Sequence, residues 1–142
     1  MNRSKRATWS ALLFALMLQR CAVFGTNTAE DIRQANGAHS TFSVRLDFDT
    51  VLSNELYVSR YCMPRELNVG GFVSRYEIGG DGRTAAITYG VEGAFGYHID
   101  AVIDLIDRGS ETEIHTFEQK KLNHLADFGQ KVKAWAQGTK PC

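Results

Sequence analysis

The stretch Phe72-Val73-Ser74-Arg75-Tyr76-Glu77-Ile78-Gly79-Gly80-Asp81-Gly82-Arg83-Thr84-Ala85-Ala86-Ile87-Thr88-Tyr89-Gly90-Val91 decides the fold of this 142-residue chain. Phe72, Tyr76 and Ile78 share one parity, as do Ala85, Ile87, Tyr89 and Val91. Period-two apolarity marks half-buried strands. Gly79-Gly80-Asp81-Gly82 between them is turn chemistry, because glycine and aspartate accept the backbone angles of a tight reversal. A hairpin closed there sets Tyr76 opposite Ala85 and Phe72 opposite Tyr89. The two apolar faces then coincide, as a sheet with one buried face requires.

Downstream the pattern repeats. After a glycine-containing loop at 92–96, Tyr97, Ile99, Ala101, Ile103 and Leu105 alternate with His98, Asp100 and Asp104. Asp107-Arg108-Gly109-Ser110 turns the chain, and Thr112, Ile114 and Thr116 continue it. The same register arithmetic sets Leu105 opposite Thr112, Ile103 opposite Ile114 and Asp104 opposite Glu113. From Lys120 to Gln137, Leu122, Leu125, Gly129, Val132 and Ala136 recur at intervals of three and four, with Phe128 and Trp135 beside the stripe. That spacing predicts a long helix with one apolar face. Gly129 inside the stripe implies a close approach to the sheet, and Gly138 ends the helix.

Upstream, Phe42, Val44, Leu46 and Phe48 alternate with polar residues and form a first strand. Asp49 or Thr50 offers an N-cap. Val51, Leu52, Leu56, Val58 and Tyr61 then space as a short helix that runs to Cys62 and stops before Pro64. The chain breaks at Gly70-Gly71. The sequence therefore predicts an α+β fold: an antiparallel sheet of about five strands, a short helix after the first, and a long C-terminal helix packed on the sheet. The layout is that of a shortened helix grip. It occupies 41–142 as a single domain, preceded by a polar, flexible leader at 26–40.

Residues 1–25 have the pattern of a secretion signal. Arg3, Lys5 and Arg6 are followed by twelve uncharged residues, Ala7 to Leu18. This run is shorter than the roughly 20 residues a membrane-spanning helix needs, and it has no polar face. Two processing sites remain open. Cys21 sits where a bacterial lipoprotein carries its lipid, although Arg20 stands where a lipobox has a small residue. Val23-Phe24-Gly25 is the second, with cleavage after Gly25.

The chain carries sixteen basic and sixteen acidic residues. Four of the basic ones (Arg3, Lys5, Arg6, Arg20) lie in the signal, leaving twelve against sixteen and a net charge of −4. Nucleic acid is not an expected partner, since phosphate binding needs a basic stripe. With Cys21 lipidated or removed, Cys62 and Cys142 remain and are expected to pair in an oxidising compartment. Closing a loop of about 80 residues contributes roughly 4 kcal/mol by chain entropy.

No cofactor or nucleophile motif occurs. The glycines at 79–82 lie between strands, not before a helix, so they are no phosphate loop. There is no Cys-x-x-Cys or His-x-x-x-His, and no metal or cofactor is expected. His98, Asp100, Asp104, Glu113 and His115 are the densest set of ionisable side chains and would share one strand face. Phe72, Tyr76, Tyr89, Phe128 and Trp135 either fill the core or line a pocket for an apolar ligand between sheet and C-terminal helix.

Asp49-Thr50-Val51 opening a helix, Tyr61-Cys62 at its end, the Gly-Gly-Asp-Gly hairpin, Thr112-Glu113-Ile114, and Trp135-Ala136-Gln137-Gly138 before the terminal Cys142 form a recognisable series over residues 41–142. In these features the chain resembles a group of short proteobacterial outer-membrane lipoproteins of unknown function. The resemblance implies a lipid anchor on Cys21 and pairing of the two later cysteines. It brings no catalytic residue. The expected function is that of an exported envelope lipoprotein, periplasmic or on the periplasm-facing outer membrane. It would be non-enzymatic and act through surface contacts with an unidentified envelope partner, with membrane attachment if Cys21 is acylated. The alternative is a small apolar-ligand carrier.

Overall fold

A computed structural model describes residues 27–35, 37–63, 71–119 and 127–142. The signal, Cys21, Pro64, Gly70, Leu122 and Leu125 lie outside the described residues.

The elements in order are α1 (Ala29–Gln34), β1 (Ala38–Val44), α2 (Phe48–Tyr57) running into a π-helical turn (Val58–Cys62), β2 (Phe72–Ile78), β3 (Thr84–Gly93), β4 (Gly96–Asp107), β5 (Thr112–Glu118) and α3 (Phe128–Ala136). The five strands form one sheet in the order β1-β5-β4-β3-β2, with every pair antiparallel. β1 closes one edge and β2 the other. The predicted α+β class holds.

One face of the sheet carries the main core. Val44, Ile114, Ala101, Ile103, Leu105, Ala85, Ile87 and Tyr89 meet Phe48, Val51, Leu52, Val58, Cys62 and Met63 from α2 and its π-helical turn, and Phe128, Val132, Trp135 and Ala136 from α3. The long C-terminal helix is corrected to nine residues, Phe128–Ala136. Asp127 has φ 58°, a left-handed conformation that a right-handed helix cannot pass through, so α3 starts after it. α2 and α3 share the face that one long helix was expected to fill. Gly129 has the predicted role: a Cβ there would lie 2.7 Å from Ser40 Oγ and 3.0 Å from Ser40 Cβ, so α3 packs directly against β1.

The opposite face holds a smaller cluster in which Ile32 of α1 covers Ile99 and Val102, with Tyr97 and Phe117 alongside. The stretch read as a flexible leader therefore contains a helix and the first residues of β1. Thr28 Oγ1 accepts from Asp31 N (3.2 Å) and Asp31 Oδ2 accepts from Thr28 N (2.7 Å), a reciprocal capping box. Asn27 clamps the backbone of Ile99, donating to its oxygen at 2.6 Å and accepting from its nitrogen at 2.7 Å. Arg33 grips Asp104 through two hydrogen bonds of 2.7 and 2.6 Å.

Both hairpin registers differ from expectation by two residues. Ile78 pairs with Ala85, Tyr76 with Ile87 and Phe72 with Val91. The turn is longer than the two-residue loop assumed: Gly79 N donates to Thr84 O, Gly82 N to Gly79 O, and Asp81 Oδ1 accepts from Arg83 N. Likewise Leu105 faces Ile114 and Asp104 faces His115, because Asp107 caps Gly109 and pairs with Thr112. The expected Asp104–Glu113 opposition is absent. A shift of two keeps every side chain on its face, which is why Ala85, Ile87, Tyr89, Leu105 and Ile114 still reach the core, whereas Tyr76 and Ile78, expected on the same apolar face, stay about half exposed.

β4 breaks its own alternation. Tyr89 pairs with Ala101 but Gly90 pairs with Ile99, leaving Asp100 as an extra residue. This bulge sends Tyr97 and Ile99 to the α1 side while Ala101, Ile103 and Leu105 stay in the main core. At Gly90 a Cβ would run into the carbonyl oxygen of His98, so the bulge needs glycine.

Candidate functional site

α2 begins at Phe48 because Asp47, not Asp49 or Thr50, is its N-cap: its carboxylate accepts from Thr50 N (2.9 Å) and Thr50 Oγ1 (2.8 Å). Those hydrogen bonds, the Thr50 N–H first, hold the Asp47 carboxyl below the usual range. The start fixes which side chains point inward: Val51, Leu52, Glu55, Val58, Ser59 and Cys62. Tyr57, Arg60 and Tyr61 consequently face solvent.

That outer surface is aromatic and cationic. Tyr57 and Tyr61, four residues apart, have ring centroids 5.1 Å apart. The Arg60 guanidinium lies 5.2 Å from the centroid of Tyr76 on β2, and the Lys140 ammonium lies 4.3 Å from that of Tyr57. Tyr57, Tyr61 and Tyr76 remain 38, 57 and 48 % exposed, so these stacks do not cover the rings. A groove of about 360 Å³ along the helix is lined by Leu52, Leu56, Tyr57, Arg60 and Tyr61, with Asp49 and Ser53. Cys62 and Cys142 lie at disulfide-bonding distance, with Cα atoms 5.2 Å apart. The bridge ties the chain end, and with it Lys140, to the helix that carries the tyrosines.

Beneath this surface is a buried carboxyl. Glu55 is fully buried, and neither of its oxygens has a hydrogen-bond partner among the described residues. Burial alone pushes its pKa well above the ordinary 4.5, because the charged form loses its hydration without compensation. The Tyr89 hydroxyl is likewise buried. Its pKa is pushed up by burial first and then by the nearby Glu55, and Ser59 offsets part of the rise. Ser59, in the π-helical turn, donates to Leu56 O in the last regular turn at 3.0 Å.

The structure brings four of the five expected pocket residues together. Phe72–Tyr89, Tyr89–Phe128 and Phe128–Trp135 have ring centroids 6.1, 5.7 and 6.1 Å apart, the last two edge to face. They form the centre of the core. Tyr76 stands apart from them under Arg60. The ionisable set divides. Asp104 is taken by Arg33, whose own pKa rises mainly through that hydrogen bond. Asp100 sits buried in the bulge, with His98 Nε2 3.8 Å from its carboxylate. Glu113 and His115 lie on the α1 side of β5, 2.6 Å apart. Among the described residues no group of three or more His, Cys, Asp or Glu is placed to hold a metal ion, and no helix is long and apolar enough to cross a membrane.

The sequence does not single out Glu55, Tyr57 or Arg60, and it counts Tyr61 only in the apolar spacing of the helix; the structure leaves that ring 57 % exposed. The signal for the outer face was present: Tyr57 and Tyr61 are one helical turn apart with Arg60 between, on the side opposite Val51 and Val58. The chain matches no protein-family model, no curated protein and no solved structure.

Proposed function

We propose that this chain is an exported cell-envelope protein that works without catalysis, by docking a partner on the Tyr57–Arg60–Tyr61–Tyr76 face. It is either anchored through a lipid on Cys21 or released by cleavage after Gly25. The observation that carries this reading is the position of Lys140 over Tyr57 at a chain end tied to Cys62. The face is complete only when Cys62 and Cys142 are joined. Such bridges persist in oxidising compartments, the destination that the basic start and apolar run of 1–25 specify. Tyrosine and arginine are the residue types enriched where binding energy concentrates, and a helix groove lined in part by Leu52 and Leu56 accepts an apolar anchor. Arg60 and Lys140 favour a partner surface that presents carboxylates around that anchor.

The test is site-specific photo-cross-linking in the producing cells. With p-benzoylphenylalanine at position 61, an envelope protein with an acidic contact surface is captured, and Arg60→Glu abolishes the adduct. The same probe at exposed position 130 on α3 captures nothing. No adduct at 61, or the same adducts at both positions, overturns the reading.

A further inference from the structure

On the α1 side of the sheet, β1 and β5 carry a row of side chains that neither the core nor the tyrosine face uses. Thr41 is the cross-strand partner of His115, and His39 that of Phe117. His39 Nε2 and His115 Nδ1 each lie 3.2 Å from Thr41 Oγ1, so two imidazole nitrogens from adjacent strands share one hydroxyl; the two ring centroids are 6.1 Å apart with planes 13° from parallel. The His39 ring is stacked on Phe117 with centroids 4.7 Å apart and planes 9° from parallel, which holds its orientation.

The other nitrogen of His115 is also committed. Nε2 lies 2.6 Å from Glu113 Oε1, while Glu113 Oε2 takes a 2.8 Å hydrogen bond from Arg108. Each Glu113 oxygen thus faces one nitrogen, Oε2 that of Arg108 and Oε1 that of His115, and the arginine can only donate, so the group serves as a carboxylate acceptor. An acceptor carboxylate at Nε2 requires the proton there, which leaves Nδ1 of His115 as a lone pair aimed at Thr41. A carboxylate that receives the distal N–H of an imidazole is the standard outer support of a metal-ligating histidine, fixing both tautomer and ring angle.

We propose that His39 Nε2 and His115 Nδ1 are the two protein ligands of a site for a divalent transition-metal ion of the imidazole-preferring class, copper(II) or nickel(II) before zinc(II), with water in the remaining positions. Glu113 is the positioning residue and Arg108 holds Glu113. A metal–nitrogen bond is about 2.0–2.1 Å, so both rings turn and close inward on binding. The Thr41 hydroxyl gives up the hydrogen bond it donates to His115 Nδ1 and the one it accepts from His39 Nε2–H, and the His39 proton moves to its Nδ1, which frees Nε2 for the ion. The exposure of His39 and Thr41 leaves room for that movement and for water ligands. Two ligands, with no third carboxylate or thiolate grouped with them among the described residues, make this a weak, exchangeable site, suited to a metal that comes and goes.

The experiment uses the full chain with its disulfide intact. Calorimetric titration with nickel(II) gives one ion per chain, and copper(II) electron paramagnetic resonance shows two nitrogen donors. His39→Gln and His115→Gln each weaken binding by at least about tenfold, and Glu113→Gln weakens it about 10- to 100-fold while the two-nitrogen signature stays. His98→Gln changes nothing. As a readout independent of any variant, imidazole nitrogen resonances of the wild-type chain shift on adding zinc(II) at His39 and His115 alone among the four histidines. No heat above dilution, a one-nitrogen signal, or unchanged binding in His39→Gln overturns the proposal.

Discussion

Replacing Glu55 with methionine should make this protein more stable. The carboxyl is 0 % exposed and both oxygens lack partners among the described residues. Burying an unpartnered polar group costs about 1–3 kcal/mol, and methionine fills a similar volume without that cost. The effect depends on pH, and its direction follows from linkage. The folded-state pKa of Glu55 is raised above its ordinary 4.5 by burial. Above the unfolded pKa, the unfolded chain sheds a proton that the folded chain keeps. Stability therefore falls as pH rises, by up to about 1.4 kcal/mol per unit, until the folded carboxyl also ionises. Asp31, Asp47, Asp107 and Glu113 are shifted the other way, by the Thr28, Thr50 and Gly109 backbone N–H groups and by the Arg108 side chain respectively. They contribute stability that is lost on acidification, so the comparison must be between variants and not along one pH curve. Urea unfolding of wild type, Glu55→Met and Glu55→Gln, with the disulfide intact, isolates the term. Glu55→Met should gain about 1–3 kcal/mol near pH 4, where the carboxyl is mostly neutral in both states, and more at neutral pH. That corresponds to a melting shift of about 4–8 °C per kcal/mol in a domain of roughly this size. Glu55→Gln should lose the extra pH slope. A destabilised Glu55→Met, or a pH slope identical in all three proteins, would refute the reasoning.

Three further outcomes follow from the packing. Cys142→Ser should lower the urea midpoint by the equivalent of roughly 2–4 kcal/mol, matching the effect of reductant on wild type, with the reduced variant showing no further change. Gly129→Ala should destabilise by about 1–2 kcal/mol, despite alanine's better helix propensity, because its Cβ meets Ser40 across the helix–strand contact; thermal unfolding decides the sign. Arg33→Ala should cost about 1–2 kcal/mol through the lost paired hydrogen bonds to the part-buried Asp104, and amide exchange should show α1 and the end of β5 loosening first.

Much of the sheet was legible because alternation is a strict signal. Ala85, Ile87 and Tyr89 faced the core as their parity required, and hairpin glycines marked both reversals. Register was not legible to better than two residues, since a two-residue slip preserves every face and only turn hydrogen bonds such as Gly79 N to Thr84 O decide between the options. The Asp100 bulge was invisible because Tyr97, Ile99 and Ala101 kept an unbroken alternation in sequence; what breaks it is the approach of the His98 carbonyl to Gly90. α1 was missed although Thr28-Ala29-Glu30-Asp31 is a capping box, because a six-residue helix carries too little periodicity to register. The C-terminal helix was overextended because Leu122 and Leu125 continue the apolar spacing, whereas the left-handed backbone of Asp127 is not encoded in periodicity. At the candidate site, the cysteine pair followed from counting, but the tyrosine face depended on which side of α2 was inward. Asp47 as the cap, two residues earlier than expected, settles that.

The central claim is an exported chain whose closed disulfide completes a binding face, and intact mass spectrometry of the native protein from its own cell envelope tests it most directly. The account predicts a mass lacking the signal, with either a diacylated or triacylated Cys21 at the new N-terminus or a start at Thr26, and lighter by two hydrogens than the reduced form through the joining of Cys62 and Cys142. A chain that retains residues 1–25 and carries free thiols at Cys62 and Cys142 would contradict it.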